Sequence, residues 1–185
     1  MKLHLGCGHC AILGYVNIDC RPLGAVDVVC DASRLDKFDD GCAEVVYASH
    51  LLEHFWDRDV PDVLREWCRV LAPGGVLRLA VPDFEQIAKR YIGTADLLEV
   101  QGLVYSRPDY PEDAHRSAWD FTKLKSALDA AGLVDVSRYD WRATEHAVAL
   151  DCASAHLPHR DFEHGQLMSL NVEARKPWEA SSTCR

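Results

Sequence analysis

Apolar positions along the chain change their period from one segment to the next. Short runs of continuous or alternating apolar character predict strands at Lys2–Leu5, Tyr15–Ile18, Val26–Val29 and Ala43–Ala48. From Asp59 to Leu71 the period lengthens. Val60, Val63, Leu64, Trp67, Val70 and Leu71 recur every three or four residues, which predicts a helix with one buried stripe. Ala72-Pro73-Gly74-Gly75 breaks it, and Gly75–Val81 predicts a fifth strand closed by Pro82-Asp83. Phe84–Tyr91 reads as a helix. After a Pro-rich loop, Phe121–Ala131 reads as another, stopped by Gly132. Val134–Tyr139 and Ser169–Ala174 end the pattern as strands.

Strands alternating with helices predict an α/β domain, with a mostly parallel sheet covered on both faces. In such sheets ligands bind beyond the carboxyl ends of the strands, near the switch in strand order. Gly6-Cys7-Gly8, Asp19, Asp31, Ser49-His50 and Pro82-Asp83 stand at those ends and are expected to ring one site.

Composition narrows the classes. The chain has 185 residues, 48% apolar and 26% charged, enough for one domain with its own core. A net charge of -9 argues against nucleic acid or an anionic membrane as the main partner. No apolar run approaches the ~20 residues of a membrane span. MKLHLGCG runs straight into a strand with no apolar leader, so a cytoplasmic protein is expected. The eight cysteines, at 7, 10, 20, 30, 42, 68, 152 and 184, are expected to be free thiols. A chain of this size needs no staples, and several of them sit inside apolar runs.

The candidate chemistry concentrates in LHLGCGHCAILGYVNIDC, Leu3 to Cys20. Cys7-x-x-Cys10 with His4 and His9 suggests zinc, but closed zinc sites bring two close pairs and no second C-x-x-C exists. A redox pair should open a helix that lowers the thiol pKa, and the ensuing residues leave room for barely one turn. Gly6-x-Gly8-x-x-Ala11 fits the dinucleotide fingerprint, yet that motif needs a full helix and an acid ~20 residues on. Here Asp19 follows too soon.

The neighbouring segments separate these readings. LHLGCG, VNIDC, VVCDAS, VVYASHLLEH and VLAPGGVLRLAVPD form an ordered series. It resembles the class I S-adenosylmethionine-dependent methyltransferases of the compact, type 11-like kind. AWDFTKLKSALDAAGLVDV and the tail ending in SLNVEA continue the resemblance over nearly the whole chain. It implies a Rossmann-like, doubly wound, seven-stranded and mostly parallel sheet with an antiparallel last strand. Residues 1–185 would form a single domain, with 1–92 as the cofactor-binding half and 93–185 as the substrate side.

The implied cofactor is S-adenosyl-L-methionine, with no metal. The implied reaction is methyl transfer to an O or N atom of a small molecule or saccharide in a biosynthetic pathway. Leu5, Gly6, Cys7 and Gly8 would approach the methionine moiety, where a Cβ would clash at the glycines. Asp19 would accept the ribose hydroxyls. Asp31 or Ala32 would read the adenine edge. Ser49 and His50 would stand where methyl group and acceptor meet, and His50, His54 and His115 are the candidate bases. Tyr105 or Trp119 could face the sulfonium.

Blander readings stand beside these. Gly6 and Gly8 could be turn glycines, Asp19 a solvated strand end, Asp31 a cap, and His54 a hydrogen-bonded core residue. Asp83 could be an N-cap. His146, Asp151, His156, His159, Asp161 and His164 could hold a metal, but read better as a polar loop closing over the substrate. The cofactor could also serve a cyclisation or rearrangement, or a non-catalytic partner protein. The first crossover is too short for a helix, which would open the pocket. Segments 93–120 and 140–165, or a second protein, would then close it. An open site suits a carrier-bound substrate or a homodimer.

Overall fold

The computed structural model describes residues 1–106 and 110–178. Seven strands form one sheet: β1 (Lys2–Leu5), β2 (Val16–Asp19), β3 (Val28–Val29), β4 (Ala43–Ser49), β5 (Leu71–Pro82), β6 (Val134–Arg138) and β9 (Ser169–Arg175). β7 (His156–Leu157) and β8 (Gln166–Leu167) make a separate short pair. The sheet order is β3-β2-β1-β4-β5-β9-β6. β1 to β5 pair in parallel, and β9 runs antiparallel between β5 and β6. The order reverses between β1 and β4, so their carboxyl ends flank the crevice.

Four helices accompany the sheet: α1 (Val60–Val70), α2 (Phe84–Thr94), α3 (Leu97–Tyr105) and α4 (Phe121–Ala130). Strand alternation sends Leu3, Leu5, Ile18, Val46, Leu77 and Val172 to one face, all at 0% exposure. Trp67 of α1 and Leu124 and Leu128 of α4 complete that core. Asp83 caps α2 by accepting from the Glu85 and Gln86 N–H groups. No helix among the described residues is long and apolar enough to cross a membrane.

The opposite face is different in kind. It carries His4, Asn17, Tyr47 and Asn171, all buried, and Arg78 and Glu173, which form an ion pair at 3.1 Å. No helix lies between β1 and β4 in sequence. This face is covered instead by residues 139–167, a run of 3₁₀ turns at Trp141–Ala143, Ala147–Ala149 and Cys152–Ser154. Trp141 and Ala153 from that segment pack on Ala80 of β5.

Three elements depart from the sequence pattern. β5 begins at Leu71, directly after α1, and Ala72–Gly75 is accommodated as an irregularity in its pairing with β4. The strand at Val26–Val29 shortens to two residues. α3 was not expected: LLEVQGLVY is apolar almost all round and shows no clean stripe.

Candidate functional site

The turn after β1 is built on two left-handed glycines, Gly6 at φ +64 and Gly8 at φ +53. A Cβ on Gly6 would meet Leu51 Cδ1 at 2.8 Å, whereas one on Gly8 would meet nothing within 4 Å. The left-handed φ favours glycine at position 6, and a Cβ there would also press on the Leu51 side chain. Gly8 presents bare backbone to open space. The Gly8 N–H donates to Asp19 Oδ2 at 2.9 Å. Asp19 Oδ1 accepts from the Arg21 backbone N–H at 3.0 Å and its Nε at 3.3 Å. The carboxylate at the end of β2 is therefore fixed from both sides.

Next to this turn lies a cavity of about 890 Å³, near the upper end of the ~300–1,000 Å³ usual for small-molecule sites. The strand-end wall includes Gly6, Cys7, Gly8, Asp19, Asp31, Ala32, Ser49, His50 and His54. Asp31 both lines it and holds its own turn, accepting from the Ser33 N–H and hydroxyl at 2.8 Å each. The opposing wall comes from the 93–120 and 140–165 segments: Tyr110, Asp113 and Arg116 on one side, Asp151, His156 and Arg160 on the other. Arg21 stacks over the Tyr110 ring at 3.8 Å, joining the two walls.

Two expected contacts lie elsewhere. Leu5 is fully buried in the helix-side core. His115 stands behind His54, their rings 5.0 Å apart, and is absent from the cavity wall. Neither aromatic candidate reaches the cavity: Trp119 is core, and Tyr105 is exposed on α3.

At the end of β4, Ser49 Oγ accepts from the Ala153 N–H at 3.1 Å and ties the covering segment to the sheet. His50 has a left-handed backbone, φ +49, in a residue with a Cβ, a strain that clusters at functional sites. Its Nε2 lies 3.2 Å from Ser169 Oγ and its Nδ1 3.5 Å from Glu53 Oε1. Burial pulls His50 down to about 3, with His115 and His54 adding to the fall. His54 has a carbonyl at each ring nitrogen, Ala114 at 3.3 Å and His50 at 3.1 Å.

Glu53 is the residue that sequence reasoning passed over. It is 1% exposed, and neither carboxyl oxygen has a hydrogen-bond partner. Burial pushes its carboxyl up to about 8. Its visible signal was only its place in LLEH, between two histidines of interest.

The remaining candidates resolve into structure. Burial and the Asp19 charge push the Cys7 thiol up to about 11, so it holds no thiolate for redox work. His4 is buried on Asn17 Oδ1 at 3.2 Å. In the His-rich segment, His146 is buried against Tyr47, and Asp151 accepts from the Tyr47 hydroxyl at 2.7 Å. His159 is exposed on the cavity wall, whereas His164 is exposed beside Asp161. These residues do not converge on one point. Cys184 and the other residues beyond 178 lie outside the described part.

Residues 13–79 match the family model of a methyltransferase domain. No curated protein matches the chain by sequence. A SAM-dependent methyltransferase from Archaeoglobus fulgidus superposes with a TM-score of 0.58 at 16% identity, over 95% of this chain and 85% of that one. One from Methanosarcina mazei gives 0.58 at 19% identity, over 96% and 92%. The Burkholderia thailandensis 1,6-didemethyltoxoflavin-N1-methyltransferase, solved with that substrate and S-adenosylhomocysteine, gives 0.56 at 16%, over 95% and 70%. The chain thus has the fold of the class I SAM-dependent methyltransferases. The matched segment contains Asp19, Asp31 and the Ser49–His54 turn, and Gly6 and Gly8 precede it.

Proposed function

We propose that this chain binds S-adenosyl-L-methionine and transfers its methyl group to an O or N atom of a small molecule or saccharide in a biosynthetic pathway. One observation carries the reading. Asp19 is held at the carboxyl end of β2, on the N–H of the left-handed Gly8, at the wall of a cavity the size of cofactor plus substrate. The cofactor has no phosphate, so no helix N-terminus is required. A carboxylate for its ribose and a Cβ-free backbone for its methionine end are what this turn offers.

The sulfonium supplies the reactive methyl group. The chain's part is to align acceptor and donor and to exclude water, and positioning of this kind can contribute ~7–11 kcal/mol. Of the three candidate bases, His50 and His54 line the cavity. His50 is neutral at physiological pH. Its ring nitrogens face Ser169 Oγ and Glu53 Oε1, so its part is to shape the wall where donor and acceptor meet. The same reading places the protein in the cytoplasm, with a substrate that is free or carrier-bound and with a homodimer as one arrangement.

Calorimetric titration with S-adenosylhomocysteine, beside NAD, tests the proposal. Binding in the micromolar range, absent for NAD and weakened at least tenfold in Asp19→Ala, is the expected result. Asp19→Asn keeps the side chain's shape and should also weaken binding, through lost charge-assisted bonds. Failure of the native chain to bind S-adenosylhomocysteine would overturn the reading.

A further inference from the structure

We infer that His156 is the group that receives the acceptor's proton, and that the acceptor carries its hydroxyl on an apolar or aromatic body. The inference rests on the methyltransferase reading and concerns the substrate side of the same cavity. The histidines of the strand-end wall are already engaged. His50 has Ser169 Oγ and Glu53 Oε1 against its two ring nitrogens, and His54 has a carbonyl against each. His4 faces Asn17 Oδ1.

His156 differs. It is 6% exposed and lines the cavity from the opposing wall. Its Nδ1 lies 2.8 Å from the Ser154 carbonyl. A carbonyl only accepts, so the neutral ring carries its proton on Nδ1 and its lone pair on Nε2. Nε2 has no hydrogen-bond partner among the described residues, yet it is not sealed in as His146 Nε2 is. The ring stands edge-on to Phe162 at 5.2 Å and to Trp141 at 6.4 Å, which fixes the direction of that lone pair. The backbone on either side is pinned as well. The Ala153 N–H donates to Ser49 Oγ at 3.1 Å, and the Met168 N–H donates to the Ala155 carbonyl at 2.8 Å. The Met168 carbonyl accepts in turn from the Asp83 N–H at 2.9 Å. These bonds hold His156 beside the carboxyl ends of β4 and β5, where the methyltransferase reading puts the methyl group. His9 and His159 also line the cavity, but they are exposed, and nothing among the described residues braces their rings. Leu103, Leu157 and Met168 line the cavity and belong to one apolar cluster, a surface for an apolar or aromatic body rather than for a saccharide. As the acceptor oxygen bonds to the methyl carbon, the carbon–sulfur bond breaks and its electron pair stays on sulfur. His156 Nε2 takes the hydroxyl proton and afterwards passes it to water.

The test is nitrogen NMR of the histidine rings in the full, isotope-labelled chain. The chain is titrated with phenol and, separately, with anisole, which keeps the aromatic body and lacks the hydroxyl proton. Ring signals are assigned through bonds, so the native chain gives the result whether or not a variant folds. Expected is a His156 ring protonated at Nδ1 and bare at Nε2. Phenol should move the Nε2 signal saturably toward its hydrogen-bonded position, and anisole should leave it in place. His156→Phe, checked for folding by circular dichroism, should weaken phenol binding about fivefold, the worth of one hydrogen bond. His164→Ala should retain it. A proton found on Nε2 would overturn the proposal, as would a phenol response confined to other histidines or an equal response to anisole. Titration with S-adenosylhomocysteine separates the two readings. Its binding with an unresponsive His156 would keep the methyltransferase reading and remove the assigned base. A responsive His156 without S-adenosylhomocysteine binding would remove that reading, and the proton-accepting role with it.

Discussion

Asn17 sits in the middle of an apolar strand and is 5% exposed. Its Oδ1 accepts from the Ile12 N–H at 2.8 Å and faces His4 Nδ1 at 3.2 Å. Its amide hydrogens are shared among the Ile12 and Tyr15 carbonyls and Asp27 Oδ2. The short link between β1 and β2 has no helix to satisfy its backbone, and this side chain takes up the Ile12 N–H and the Ile12 and Tyr15 carbonyls. Asn17→Ala should therefore cost about 3 kcal/mol, since several buried polar groups lose their partner at once. Urea denaturation would measure it, and a loss below about 1 kcal/mol would refute this role. The turn after β1 was legible in the sequence from Gly6 and Gly8, and the carboxylate at the end of β2 from the resemblance carried by the segments around Asp19. Asn17 and Glu53 were not. Part of what surrounds Glu53, His115 and the Arg116 and Ser117 N–H groups, comes from a segment distant in sequence, and no local pattern records that.

Among the elements, the decisive one is the 139–167 segment. Alternation in LHLG, VNID and VVYAS puts polar residues on one face of each strand. The α/β pattern predicts that this face is covered too, without saying by what. Its cover is a run of 3₁₀ turns too short to have a period, which is why the pattern could offer 140–165 only as one candidate closure. Most strand positions and the α1 and α4 segments were readable, because their periods repeat over several residues.

Several bonds hold the closure to the sheet, and that of Tyr47 ends on the cavity wall. Tyr47 Oη donates to Asp151 Oδ2 at 2.7 Å, and Asp151 lines the cavity. Tyr47→Phe keeps the ring stack and deletes the hydroxyl that binds Asp151 and Ser49. Stability should fall by about 1–2 kcal/mol. Amide exchange over residues 147–155 should quicken, and S-adenosylhomocysteine affinity should drop a few-fold. Unchanged exchange in that segment would show that the turns hold without this bond.

For the molecule as a whole, the buried polar face makes stability depend on acid. His146 is 2% exposed, stacked on Tyr47 with centroids 3.8 Å apart. The Thr144 hydroxyl donates to the Trp141 carbonyl at 2.7 Å, so its oxygen accepts from His146 Nδ1–H at 3.2 Å. His146 Nε2 is buried with no partner. A second proton would sit there with nothing to receive it. Burial therefore pulls His146 down to about 4 from the usual 6.5; Asp151 and Glu145 oppose the fall, and Arg78 and His4 assist it.

The sign follows from proton counting. Between about 6.5 and about 4 the unfolded chain binds a proton at His146 that the folded chain refuses, so stability falls as pH falls through that window. The full loss from this residue is at most about 3 kcal/mol. Glu145 adds a later loss. Burial works against its ionisation, but donation from Lys2, Arg78 and Tyr15 holds its carboxyl well below the usual 4.5, so its contribution fades only below that value. His146→Gln removes this residue's share of the first window, to which buried His50 also contributes, and leaves the second. Urea midpoints for the variant should change less between about pH 7 and about pH 4.5 than those of the native chain. Parallel curves for the two proteins would mean that His146 is not the group responsible.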